Sequence, residues 1–195
     1  MPLKVAGIIG SPRKGMNTDT LVTRALEGTQ STGAETEKIY LNDLDIMPCQ
    51  ACKNFPAPAY CFYRDGMDKI YHVLENVDAL VIGAPAYFAS FSAQLKLVID
   101  RSNCLAEMTQ LPDGKLAFKS RLKKRKKGIF IWVANTSKNS EHALASVRIW
   151  CKYFANIELI DTLIVTESDL GGGAKNREDL LAKAYNLGVS LVEYF

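Results

Sequence analysis

Three continuous apolar runs, each followed by a stretch of helical spacing, narrow the possible folds more than any other feature of this chain. They are Val5 to Ile9, Ala79 to Gly83 and Ile129 to Val133. None alternates apolar with polar residues, so each reads as a strand buried on both faces. Leu159 to Val165 reads as a last strand, and the shorter, more polar Glu37 to Leu41 suits a sheet edge. Between and after them lie five helical patterns. Thr18 to about Thr29 repeats Leu21, Val22, Ala25 and Leu26. Asp65 to Asn76 aligns Met67, Ile70, Tyr71 and Leu74, with Asp65 placed to cap its start. Ser90 to Asn103, Ser140 to Phe154 and Arg177 to Phe195 complete the set. Parallel strands need crossover connections, and helices then cover both faces of the sheet. The pattern therefore predicts a three-layer, doubly wound parallel sheet of five strands in the order 2-1-3-4-5. Its switch point falls between the first and third strands, where such sheets bind ligands.

Composition agrees with one globular domain over residues 1–195, with long irregular stretches expected at 42–64 and 104–127. The chain is 48% hydrophobic and 23% charged, which excludes a disordered or collagen-like chain. No apolar run approaches the roughly 20 residues of a membrane span. The start, Met1-Pro2-Leu3-Lys4 and a short apolar run, is too short and wrongly flanked for a secretory signal. A cytoplasmic protein with reduced thiols is expected. Lys119, Arg121, Lys123, Lys124, Arg125, Lys126 and Lys127 supply seven positive charges, more than the net +3, so the rest of the chain is mildly acidic. This run lacks interleaved aromatics apart from Phe118, and no nucleic-acid-binding motif accompanies it. It reads as a solvated connector away from the ligand end of the sheet.

Two loops carry the chemistry. The first strand ends in Gly10-Ser11-Pro12-Arg13-Lys14-Gly15-Met16-Asn17-Thr18, where a helix begins. A helix N-terminus offers free N–H groups and a partial positive charge to an anion. Ser11, Asn17 and Thr18 add hydrogen-bonding side chains, and Arg13 adds a fork for phosphate oxygens. The loop fits neither the dinucleotide fingerprint nor the P-loop. The third strand runs into Gly83-Ala84-Pro85-Ala86-Tyr87-Phe88-Ala89-Ser90, which the topology sets beside the first loop. Apolar groups on a loop top beside a phosphate cradle suit a flat aromatic ligand with one phosphate.

The G-S-P-R-x-x-x-N-T-x-x-L pattern at Gly10 to Leu21 resembles the flavin loop of flavodoxin-like, NADPH-dependent FMN reductases, and more closely their iron–sulfur flavoprotein branch. Asp78 to Phe88, followed by Ser92 to Arg101, is similar to their second signature. The resemblance implies a flavodoxin-like fold and FMN, with the phosphate at Ser11, Arg13, Asn17 and Thr18 and the ring system against Pro85, Ala86, Tyr87 and Phe88. Asn135-Thr136-Ser137 would close the other edge. Family members often carry a small polar pair where this chain has Gly15-Met16, and Met16 has no side-chain donor. In the family the helix ending in Asp100-Arg101 adjoins a partner subunit, which assigns that charged pair to architecture. A homodimer or homotetramer is expected.

The implied function is an oxidoreductase passing electrons from NAD(P)H through FMN to a flavin, quinone or similar small acceptor. No side chain is expected to act as a catalytic group, since the cofactor carries the chemistry. The alternative is an electron-transfer flavoprotein serving a protein partner. The branch's C-x2-C-x2-C-x5-C motif falls on Cys49, Cys52, Phe55 and Cys61. Phenylalanine cannot ligate iron, and a four-iron cluster usually takes four thiolates. The loop therefore reads as a cluster-free relict, ahead of a cluster completed by an outside ligand such as Cys104. A redox or zinc-binding use ranks last. No metal is assigned, with Cys49, Cys52 and Cys61 as the only candidates. Cys151 and Cys104 read as structural.

Overall fold

The computed structural model describes residues 1–52, 59–136 and 138–195. Phe55 and Ser137 lie outside the described residues. Five strands form one parallel sheet: β1 (Lys4–Ile9), β2 (Glu35–Tyr40), β3 (Ala79–Pro85), β6 (Lys126–Val133) and β7 (Ile157–Val165). Their order is β2-β1-β3-β6-β7. This is the expected 2-1-3-4-5 arrangement, with the antiparallel hairpin β4 (Ala106–Gln110) and β5 (Leu116–Ser120) inserted before the fourth sheet strand. The hairpin corrects the irregular stretch expected at 104–127. Pro112-Asp113-Gly114 closes it, with Gly114 in the left-handed region and its N–H donating to Leu111 O at 2.9 Å. Most hairpin residues are exposed, so no buried apolar period marks them in the sequence.

Helices α2 (Met67–Asn76), α3 (Ala93–Arg101) and α4 (Glu141–Ile149) pack on one face of the sheet. α1 (Asn17–Ser31) and α5 (Glu178–Glu193) cover the other. β3 is buried along its whole length, as a central strand of a doubly covered sheet must be. α4 continues into a π-helical turn, Trp150–Ala155, so the segment matches the helix expected to Phe154. α1 and α5 cross at backbone distance. A Cβ at Gly28 would lie 2.1 Å from Tyr185 O, and one at Gly188 would lie 1.8 Å from Ala25 O. Only glycine fits either position.

The basic run is not a free arm. Lys124 pairs with Asp78 at 2.8 Å, and Arg125 and Lys127 lie 3.2 and 3.8 Å from Glu158. Arg121 donates to Cys104 O at 2.9 Å and lies over the Tyr60 ring. The run fastens the start of β6, at the end of the sheet opposite the loops after β1 and β3. Among the described residues, no helix is long and apolar enough to cross a membrane.

Lys126 is fully buried and its ammonium donates to Lys124 O at 2.8 Å. Burial, with the Lys124 charge second, pushes its pKa down to about 8. In the unfolded chain a lysine titrates near 10.4. Between those values the unfolded state binds more protons, so this group makes stability rise with pH across that window. Replacing it, K126M, is expected to raise the unfolding free energy at pH 7 by about 1–3 kcal/mol and to flatten the rise between pH 8 and 10. Urea unfolding at several pH values reads both, and a variant no more stable than wild type at pH 7 contradicts the assignment.

Candidate functional site

At the carboxyl end of the sheet, the Gly10 N–H donates to Gly83 O at 2.8 Å, which sets the loops after β1 and β3 side by side. Ser92, the N-cap of α3, donates its hydroxyl to Gly10 O at 2.6 Å. A Cβ at Gly83 would lie 2.3 Å from Val22 Cγ2 and 3.1 Å from Thr18 Cγ2, so glycine lets α1 close onto β3.

The first loop is held from beneath. Asp19, buried in the first turn of α1, accepts from Gly15 N–H at 2.6 Å, Tyr40 OH at 3.0 Å and Lys38 Nζ at 3.1 Å. Burial alone would raise its carboxyl, but the bonds from Gly15, Lys38 and Tyr40 outweigh it and hold the pKa below the usual range. Gly15 itself takes a left-handed conformation. α1 starts after Met16 with no side-chain cap. Its first N–H groups are therefore open to an anion, as an uncapped helix start requires.

The predicted contacts divide. Arg13 is exposed at the loop, whereas Ser11 is buried and its Oγ accepts from Arg13 N–H at 3.2 Å. Thr18 is buried with its methyl toward Gly83. Asn17 is also buried, and its side chain is engaged elsewhere. Its amide donates to Ser168 O at 3.1 Å and Asp169 Oδ1 at 2.7 Å, and its carbonyl accepts from Ala174 N–H at 2.9 Å. Asn17 thus ties the loop after β7 to the cradle and offers an anion only its backbone N–H.

In the second loop Pro85 is buried, Ala86 half-buried, and Tyr87 and Phe88 are exposed, the latter completely. Phe88 and Ala89 both take left-handed conformations, and the Ser90 N–H closes a turn onto Tyr87 O at 2.9 Å. Strain of this kind is retained where surroundings over-determine it, and it clusters at ligand clamps. Trp132, buried in β6, anchors the turn by donating from Nε1 to Ser90 O at 2.7 Å. Asn135 and Thr136 follow β6 as exposed residues, and Asn135 O accepts from Glu167 N–H at 3.1 Å. Sequence reasoning missed Asp19, Ser92 and Trp132. Ser92 and Trp132 act through contacts distant in the chain, with Gly10 and Ser90, and Asp19 also reaches Lys38 and Tyr40, so spacing carries no signal for these roles.

The cysteine loop leads elsewhere. Cys49, Cys52, Cys61 and Cys104 line one cavity of about 110 Å³, together with Tyr63, Arg101 and Asn103. It lies at the C-terminal end of α3, whose N-terminal end meets the cradle. Asp100-Arg101 was expected to be architectural, and the two residues divide: Asp100 is bonded to Lys96 at 2.6 Å, and Arg101 is buried within the chain. Its guanidinium donates to Asp65 at 2.5 and 3.3 Å, to Met47 O at 2.8 Å and to Cys61 Sγ at 3.5 Å. Asp65 also accepts from Met67 N–H at 2.9 Å, so it serves the start of α2 as expected. Burial would raise the Asp65 carboxyl, but Arg101 and the backbone bonds hold it below the usual carboxylate range.

The profile of the NADPH-dependent FMN reductase family matches residues 3–166, and the chain belongs to that family. An iron–sulfur flavoprotein of Methanosarcina thermophila is 37% identical over 100 residues, 51% of this chain and 52% of the relative. The chain spans about half the length of the curated relatives it matches. Among solved structures, a flavone reductase superposes with a TM-score of 0.76 at 19% identity, covering 98% of this chain and 62% of that one. An FMN-dependent NADH-azoreductase from Bacillus anthracis in complex with FMN gives 0.71 at 12% identity, covering 96% and 99%. These likenesses show the fold, which is flavodoxin-like.

The residues present fit FMN. The uncapped start of α1, the exposed Arg13 and the exposed rings of Tyr87 and Phe88 suit its phosphate and its ring system. A cluster fits less well. Among the described residues, no three Cys, His, Asp or Glu side chains are grouped to hold a metal ion. Cys104 donates its thiol to Arg101 O at 3.2 Å, and burial pushes it up to about 11.

The Asp65–Arg101 pair yields a stability prediction. D65N leaves a buried guanidinium without its counter-charge, and the expected loss is about 3–5 kcal/mol. Because the folded carboxyl titrates below its unfolded value, this contribution is present above about pH 4 and is lost as the pH falls further. Wild type and D65N should therefore differ in urea midpoint at pH 7 and converge under acid. A constant difference at all pH values contradicts the ion pair.

Proposed function

We propose that the chain is an FMN-dependent oxidoreductase taking electrons from NAD(P)H and delivering them to a small acceptor such as a free flavin or a quinone. The observation that carries this reading is the uncapped helix start of α1 beside the strained, apolar loop 85–90. When bound, FMN supplies the chemistry by accepting hydride and passing electrons on. The chain's own residues bind and orient it. The first-turn N–H groups of α1 and the Arg13 guanidinium hold the phosphate, and Ser11 and Thr18 shape the cradle around it. Asp19 keeps Gly15 in place beneath. Pro85, Ala86, Tyr87 and Phe88 present an apolar shelf to the ring system, which Trp132 fixes through Ser90. Asn135 and Thr136 bound the other edge. All 195 residues act as one FMN-binding unit. Two or four copies would cover the exposed Phe88 ring and the exposed Met108, Leu116 and Phe118 of the hairpin.

The purified protein should be yellow and should bleach under NAD(P)H, with steady turnover when a quinone is added. A colourless protein that takes up no FMN defeats the reading. A flavin reduced only by a partner protein assigns the chain as an electron carrier instead. Arg13 makes a sharper test. R13A is expected to weaken FMN binding by about tenfold to a hundredfold, the worth of a charge-assisted hydrogen bond. Riboflavin, which lacks the phosphate, should bind both proteins equally. Fluorescence titration with the two ligands reads this, and equal losses for both contradict a phosphate role.

A further inference from the structure

Four of the five cysteines line the one cavity beside Arg101, on different terms. Cys49 and Cys52 are exposed at its mouth, and Cys61 and Cys104 are buried. Cys104 is occupied: its sulfur lies 3.1 Å from Tyr71 OH and donates to Arg101 O. Cys61 instead receives an N–H from the Arg101 guanidinium, and Arg101 Nε is buried with no partner. That contact fixes the Cys61 sulfur at the cavity wall, where no backbone carbonyl among the described residues holds it as Arg101 O holds Cys104. The cavity, at about 110 Å³, is somewhat smaller than an engineered cavity of about 150 Å³ that accepts benzene. It therefore has room for a fragment of a few heavy atoms, not for a large cofactor.

We propose that this cavity is a thiol–disulfide exchange site for small disulfides, with Cys61 as the attacking thiol and the exposed Cys49–Cys52 pair as the source of the resolving thiol. The Cys61 thiol gives up its proton to solvent, and its sulfur attacks one sulfur of the disulfide R–S–S–R. The S–S bond breaks, a Cys61–S–S–R bond forms, and one RS⁻ leaves and takes a proton from water. A thiol at the mouth then gives up its proton to solvent and attacks the Cys61 sulfur. This forms a protein disulfide and releases the second RS⁻, which is likewise protonated. The small disulfide is reduced by two electrons and the protein dithiol is oxidised by two. Arg101 acts as a positioning residue for Cys61, and Cys104 takes no part. The site is separate from the FMN cradle and does not depend on FMN turnover.

The test uses the full chain and cystamine, a disulfide whose halves match the cavity in size. In wild type, cystamine followed by alkylation and peptide mapping should show Cys61 joined to Cys49 or Cys52, with two thiols lost per chain. In C49S/C52S the resolving thiols are gone, and Cys61 should retain one cysteamine adduct per chain. The further change C61S should abolish the adduct, and C104S alone should behave as wild type. Circular dichroism confirms that each variant is folded. Three outcomes overturn the proposal. In folded C49S/C52S, Cys61 stays free until denaturant is added. In wild type, only a Cys49–Cys52 disulfide forms. Or iron co-purifies with the anaerobic protein and shields Cys49, Cys52 and Cys61 from alkylation.

Discussion

The hydrogen bond from Gly10 N–H to Gly83 O joins the carboxyl ends of β1 and β3, and the cradle depends on it. A parallel sheet with helices on both faces splays its loops apart at one place, the switch point between strands whose crossovers run in opposite directions. The bond spans that place, and Ser92 adds a second tie to Gly10 O from the start of α3. Glycine at Gly83 lets α1 approach until Val22 and Thr18 touch β3. On the outer side, Gly28 and Gly188 bring α5 against α1 at backbone distance. The start of α1 is therefore fixed by contacts from three directions before any ligand arrives.

Polar groups around that start are used in a consistent way. Asp19 and Asn17 are the natural candidates to cap it, and both are committed elsewhere. Asp19 faces Gly15, Tyr40 and Lys38, and Asn17 faces the loop after β7. Neither side chain satisfies the first N–H groups of the helix. A helix of 15 residues with no side-chain cap leaves a concentrated partial positive charge at its start. Loop rigidity thus comes from these two residues, one stiffening each side, while the backbone donors at the helix start stay free of them.

Most of the architecture was legible in the sequence because burial sets it. β1, β3 and β6 read as continuous apolar runs, and the polar Glu35–Tyr40 strand falls at the edge as expected. The hairpin was not legible, because a hairpin lying on the surface has no buried face to leave a period. At the site, residue types marked the loops but not the partners. Asn17 looked like a phosphate ligand because amides often are, and its three bonds to residues 168–174 depend on chain reversal after β7. Asp100-Arg101 was legible as architecture, but the Asp65 partner of Arg101 was not. A helix ending against the loop from β2 turns one of two adjacent charges inward, and no local pattern distinguishes which.

That inward charge also explains why the cysteine loop does not belong to the cradle. The loop leaves β2 at the same end of the sheet as the loops after β1 and β3. Arg101 draws it down instead, through Met47 O, Asp65 and Cys61. α3 has nine residues, and at 1.5 Å per residue its two ends are about 14 Å apart. Its first residue adjoins Ser92 and the cradle, and its last is Arg101. A desolvated guanidinium is stable only with its counter-charge and acceptors in place, so the chain on both sides of the cysteine loop is bound tightly there. The exposed Cys49 and Cys52 are held at the mouth of that anchored region.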